Sequence, residues 1–319
     1  MVRSLTIMKQ IPEHESDIFK DEIKTDMAFI EVQRDTIGKS GACPTWGYVY
    51  NNVNGKMKFK AIALHKEYDY DYPMSAYGEK TWSILGREVL GESVRVPYIE
   101  LVEQSPGQAE ILSYRVMDND TEDMIHIKDT LFKKFQREEI KDKKEIFTLD
   151  EILECIRLQI EDEENYKQVE KDIIQVLLLD AVTNNGDRHV LNWALIRGEK
   201  TNRYNLAVFD HASSFVDMFD DRSYHLGNGW TGTYITVGAD KGKRNIGSDG
   251  KTIIEYIAKQ YPEYFEEFCD RFDAKLPQVL EQIEQENMKI DFKRLSNKLG
   301  ERRVLLRRLR DRGNFEYGE

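Results

Sequence analysis

Hydrophobic and polar positions alternate along the first third of the chain and change to helical spacing over the rest. Residues 27–32, 46–50 and 57–64 are rich in aromatic and branched side chains, and the pattern predicts three strands. Asn54-Gly55, between the last two, predicts a tight hairpin. Two more strands are expected over 97–103 and 109–118, separated by Ser105-Pro106-Gly107. A helix is expected over 77–90, where Trp82, Leu85 and Val89 share a face. The first 118 residues therefore predict an antiparallel sheet with one helix.

Beyond residue 148 the period is helical. Thr148-Leu149-Asp150-Glu151 has the form of a capping box. The helix over 165–182 is apolar nearly all round at Ile173–Leu179, which places it at the centre of a helical lobe. Further helices are expected over 252–260, 264–272, 276–287 and 292–312, the last an amphipathic closing helix with Arg302, Arg303, Arg307, Arg308, Arg310 and Arg312. An anionic partner is a minor alternative for that arginine face. Residues 119–147 show no clear period, and the charged run at 133–144 reads as a solvated face. Residues 217–249 form a long polar, glycine-rich stretch, either a substrate platform or lid, or two turns around a short strand.

The central helix delivers the chain into Asn184-Asn185-Gly186-Asp187-Arg188-His189-Val190-Leu191-Asn192. The interval from Asp187 to Asn192 equals that between the catalytic Asp and the metal-binding Asn of the protein-kinase loop. Two apolar runs around Arg197–Arg203 then predict a hairpin that brings Asn192 beside Asp210. Phosphoryl transfer needs positioning and charge neutralisation more than covalent help. Asp187 suits the acceptance of a hydroxyl proton, and Asn192 and Asp210 suit Mg²⁺. The bare spacing alone is commoner in turns whose Asp and Asn cap the backbone. The buried helix before it and the hairpin after it give the motif its weight.

A kinase also needs a loop on the phosphates, a cation and a carboxylate to hold that cation. Thr36-Ile37-Gly38-Lys39-Ser40-Gly41-Ala42 is a loop whose backbone N–H groups could approach phosphates, with Gly38, Ser40 and Gly41 as candidates, although such a loop is more often a plain turn. Lys60 is the expected cation, with Lys58 on the same alternating face and Lys66 beyond the strand as alternatives. Glu79 is the expected carboxylate and Glu88 the weaker one; each also reads as an ordinary solvated helix charge. Met117 begins the crossing between lobes, where backbone groups could recognise adenine.

Composition narrows the class. The 319 residues are 40% hydrophobic and 33% charged, which fits a folded chain long enough for two lobes. A net charge of −12 argues against broad nucleic-acid binding. Cys43, Cys155 and Cys269 lack metal-ligand spacing and read as reduced thiols. No run approaches the ~20 apolar residues of a membrane helix. Cytoplasmic location is the expectation, with export by another signal left open.

The Asp187–Asn192 motif with Phe209-Asp210 beyond a hairpin resembles the D-R-H-x-x-N loop and Mg-binding Asp of HipA-like and CtkA-like serine/threonine kinases; the loop also occurs in phosphatidylinositol kinases. The resemblance implies a two-lobed, protein-kinase-like α+β fold, with an N-lobe over 1–118 and a helical C-lobe over 119–319. It implies ATP and Mg²⁺, with Asp187 as base, Asn192 and Asp210 as metal ligands and Lys60 on the ATP phosphates. Arg188 and His189 would support the loop. A protein substrate follows, as does an antitoxin-type regulatory partner. His211-Ala212 departs from the D-F-G that follows the kinase metal acid, and the serine that HipA proteins autophosphorylate has no clear counterpart, Ser40 and Thr36 being substitutes. Alternatives on the same fold are a lipid or small-molecule kinase, a nucleotide-binding pseudokinase and an AMP transferase.

Overall fold

Strands β1 (Arg3–Met8), β2 (Met27–Arg34), β3 (Thr45–Val53) and β4 (Lys56–Lys66) open the chain, and helix α1 (Met74–Val89) follows. Next come β5 (Val94–Arg95), β6 (Ile99–Glu103) and β7 (Glu110–Tyr114). This architecture comes from a computed structural model that describes residues 3–8, 27–34, 44–54, 56–68, 74–103, 109–118, 121–135, 146–219, 230, 233–238 and 247–316. The strands close into a barrel in the order β1-β2-β3-β4-β7-β6. Met27, Phe29, Val49, Ala63, Val102, Leu112 and Tyr114 fill its interior. The expected antiparallel ladders are present from β2 to β6. Strand β1, absent from the sequence-based expectation, closes the barrel by parallel pairing with both β2 and β6. At the β3–β4 turn Asn54 takes φ 55°, a left-handed conformation that asparagine tolerates.

One irregularity in β4 bears on the site. Val49 pairs with Ala61 but Tyr50 pairs with Phe59, so Lys60 is an extra residue without a ladder partner. Such a bulge breaks the two-residue alternation. Lys60 therefore turns to Glu100 at 2.6 Å, over the ring of Tyr114 at 4.5 Å.

The second part contains β8 (Glu122–His126), α2 (Ile127–Phe135), β9 (Phe147–Thr148), α3 (Leu149–Gln159), α4 (Glu163–Thr183), β10 (Trp193–Gly198) and β11 (Tyr204–Val208). These are followed by α5 (Val216–Phe219), β12 (Ile235–Thr236), α6 (Gly250–Gln260), α7 (Pro262–Gln285) and α8 (Phe292–Glu316). Thr148 caps α3 as the capping box predicts: its Oγ1 accepts from Glu151 N–H, and Glu151 accepts from Thr148 N–H at 2.8 Å. A small sheet, ordered β5-β11-β10-β8, lies against the helices, so β5 joins this part although it precedes residue 118. The apolar core runs continuously from α1 through the helices. The two helices expected over 264–287 are one, α7, which carries Pro277 inside it and Pro262 at its first turn. Its acids collect the arginines of α8: Arg303 and Arg307 bind Asp273 and Arg310 binds Asp270. Those three arginines thus pair within the fold.

Helix α4 also buries Asp172, whose Oδ1 accepts from Ser93 and Gln168 while Oδ2 finds no partner among the described residues. Burial pushes this carboxyl up to about 6, against the pull of those two hydrogen bonds and of Lys171 and Arg271. The ordinary value is about 3.9, so between the two values the folded state holds more protons than the unfolded state. Stability contributed here falls as pH rises through that window, and the loss is complete above it. Asp172→Asn is therefore expected to be more stable than the parent by about 1–3 kcal/mol near pH 7.5. Thermal melts of both proteins should converge as pH falls toward the unfolded value, and a gap that widened there would contradict the assignment.

Candidate active site

Three segments meet at the inner end of the barrel: the end of β4, the middle of α1 and the loops on either side of the β10–β11 hairpin. Lys66 is the last residue of β4. Its Nζ lies 2.6 Å from Glu79 Oε1 and 3.3 Å from Asp210 Oδ1. Burial pulls the Lys66 ammonium down, but Asp210 and Glu79 together outweigh it and hold its pKa above the ordinary value. The partner of Glu79 is thus Lys66 and not Lys60. Lys60 is six residues earlier, roughly 20 Å along an extended strand, and the bulge turns it to Glu100. Glu88 pairs with Lys275 at 3.1 Å, away from this cluster.

Tyr68, which sequence reasoning missed, donates its hydroxyl to the same Glu79 oxygen. Burial, followed by the charges of Glu79 and Asp210, raises its pKa well above ordinary. No sequence pattern marks it, because it lies past the strand. Helix α1 approaches close enough for this cluster because Gly78 has no side chain: a Cβ there would sit 2.8 Å from the Ser214 carbonyl oxygen and 3.3 Å from that of Ala212.

The central helix ends at Asn184, which takes φ 57° as its cap and turns the chain sharply into the motif. Arg188 is completely buried and binds Asp180 of α4 through Nε at 2.5 Å and Nη2 at 2.9 Å. Its Nη1 donates to the carbonyl oxygens of Asn192, at 3.2 Å, and Phe209, at 3.1 Å. One guanidinium thereby fixes both ends of the hairpin, as its expected supporting role requires. Nη2 also donates to His211 Nδ1 at 2.7 Å. Burial, then the positive charges of Arg188 and Lys66, hold His211 well below its ordinary pKa, so it is neutral. The neutral ring stacks on Trp82 of α1 at 3.5 Å and 5°. His211, where D-F-G would have phenylalanine, thus ties α1 to the loop of Asp210. His189 braces the loop through its carbonyl oxygen, which accepts from Trp193 Nε1 at 2.6 Å.

The hairpin has the expected register: Trp193 pairs with Val208, and Phe209 N–H donates to the Asn192 carbonyl at 3.1 Å. Asn192 Nδ2 donates to the Asp187 carbonyl at 2.9 Å, which leaves its Oδ1 as the atom able to ligate a cation. Asp210 adopts φ 61°. Its side chain keeps 47% of its surface, so solvent or an ion can reach it. The Lys66 ammonium holds the Asp210 carboxyl below the usual carboxylate range against burial, with His189 and Arg188 assisting. A charged carboxylate and an amide oxygen on adjoining backbone are hard oxygen donors, a set that fits Mg²⁺. Asp187 is partly buried in the same loop, its N–H held by Asn185 Oδ1 at 3.3 Å. Met117 lies past β7 and is partly buried. Thr36, Gly38, Ser40 and Gly41 lie outside the described residues, as does most of 217–249. Among the described residues no helix is long and apolar enough to cross a membrane.

No protein-family model and no curated protein sequence matches the chain. Solved structures do. The proinflammatory kinase CtkA of Helicobacter pylori superposes with a TM-score of 0.61 at 14% identity, over 90% of this chain and 97% of that one. HipA of Shewanella oneidensis MR-1, in a toxin–antitoxin complex with HipB and operator DNA, superposes with a TM-score of 0.50 at 12% identity, over 88% of this chain and 65% of that one. The protein has the two-lobed, kinase-like α+β fold of CtkA and HipA.

Proposed function

We propose that the protein is an ATP-dependent serine/threonine protein kinase. The observation that carries this reading is the placement of Lys66 Nζ between Glu79 and Asp210, with Asp210 one hydrogen-bonded step across the hairpin from Asn192. Glu79 orients the Lys66 ammonium toward the ATP phosphates, where its fixed charge offsets charge spreading over the phosphoryl oxygens. Asp187 accepts the proton of the acceptor hydroxyl. Asn192 Oδ1 and the Asp210 carboxylate would hold Mg²⁺, which supplies charge neutralisation on the phosphates. Backbone near Met117 receives the adenine, and the loop with Gly38, Ser40 and Gly41 covers the phosphates. An antitoxin-type regulatory partner belongs to the same reading, supported by the HipB-containing assembly of the Shewanella protein.

The test is intact mass of the chain, and of candidate protein substrates, after incubation with Mg²⁺-ATP. A phosphoryl-sized addition to a protein, abolished by chelation and restored by excess Mg²⁺, is the expected result. An AMP-sized addition would assign adenylyl transfer instead, and phosphorylation restricted to lipids or small molecules would replace the protein-kinase reading. If ATP is neither consumed nor bound, the kinase reading fails.

A further inference from the structure

The barrel carries a second side-chain cluster that the proposed chemistry leaves unused. His65 and Glu67 flank Lys66 on the chain, His65 within β4 and Glu67 just past its end. Pairing between β4 and β7 runs to Lys66 opposite Ile111, and the next residues beyond that pair are Glu67, just past the end of β4, and Glu110, the first residue of β7. A ring nitrogen of His65 and carboxylate oxygens of Glu67 and Glu110 all lie within 4.8 Å of one another. His65 and Glu110 are almost fully buried, each 2% exposed, whereas Glu67 reaches solvent. His65 Nε2 sits 2.7 Å from Glu110 Oε2, and its ring packs 5.4 Å from that of Phe29.

Two carboxylates brought together across neighbouring strands repel, and burying one of them adds a desolvation cost. A dication held between them offsets both charges. One imidazole and two carboxylates are ligands for Zn²⁺ and related transition ions, while Mg²⁺ and Ca²⁺ prefer oxygen alone. Bonds of about 2.0–2.2 Å from Zn²⁺ place neighbouring ligand atoms about 3–4 Å apart. Small side-chain adjustments reach that spacing from the one observed.

We propose that His65, Glu67 and Glu110 form a Zn²⁺ site at the mouth of the barrel, with water completing the coordination on the exposed side of Glu67. A bound ion would join β4 to β7 at the residues flanking Lys66 and so stiffen the strand that presents it. This site stands whether or not the protein transfers phosphate.

The test uses the full chain, stripped with chelator, dialysed and titrated with ZnCl₂ by calorimetry and thermal melting. Expected are one tight equivalent and a higher melting temperature. Binding should weaken by at least about tenfold in Glu67→Gln, the loss typical when a metal site is disturbed, and should persist in Asp210→Asn, which alters the other cation site. Glu67 is exposed, so its variant keeps the barrel core even where His65→Gln fails to fold. Absence of Zn²⁺ binding by the parent overturns the proposal, as does binding that Glu67→Gln leaves unchanged.

Discussion

Lys66→Met is expected to lower phosphoryl transfer by about 10²–10³, the cost of removing one preorganised charge from a transition state, while Lys60→Met stays within a few-fold of the parent. The two lysines share a strand but not an environment. Lys66 is held by Glu79 at 2.6 Å beside Asp210, and Lys60 by Glu100 among Tyr98 and Tyr114. Removing Lys66 alone strands the Glu79 carboxylate, which is 1% exposed and would keep only the Tyr68 hydroxyl among its described contacts. That stranding costs about 3–5 kcal/mol and would confuse lost stability with lost catalysis. The double variant Lys66→Met with Glu79→Gln removes the buried charge as well. It should recover melting temperature without recovering transfer. Single-turnover rates for the parent, both single-lysine variants and the double variant read this directly. If Lys60→Met proved the inactive protein, the assignment of Lys66 would be wrong.

The difference between these lysines also marks where sequence reading stops. The interval from Asp187 to Asn192, the hairpin and Asp210 were legible because each rests on local rules: a fixed spacing, two apolar runs and a polar turn. The Thr148 capping box and the buried stretch of α4 were legible for the same reason. The lysine was not, because alternation assumes an unbroken ladder and the extra residue at 60 shifts β4 against β3. Strand β1 was missed because its pairing partners are more than ten residues away in one direction and nearly a hundred in the other. Trp82 appeared only as a core position on α1; its stacking on His211 is a contact between residues 129 positions apart. The motif displayed the residues of the proposed site, whereas the contacts that hold them are long-range.

The largest stability effect is expected at Arg188. Its side chain is entirely buried against Asp180, which is equally buried, and it also reaches the carbonyl oxygens of Asn192 and Phe209 and the ring of His211. Arg188→Ala leaves the Asp180 carboxylate with Asn185 Nδ2, at 2.9 Å, as its remaining described side-chain donor. A buried charge deprived of its partner costs about 3–5 kcal/mol. In a chain of this size that corresponds to a fall in melting temperature of roughly 4–8 °C. Lysine should not rescue the loss, because an ammonium cannot reproduce the fork that grips both Asp180 oxygens while the other nitrogen spans the hairpin. Arg188→Met combined with Asp180→Asn should recover much of the stability, since it removes both charges together. It should not recover transfer: the hairpin ends carrying Asn192 and Asp210 would still lack the donor that fixes both. Melting temperature and transfer rate, measured on the single and paired variants, separate the two roles. Recovery of both by the pair would reduce Arg188 to a charge partner for Asp180; recovery of stability alone identifies it as the group that sets the geometry of the residues proposed to hold the metal.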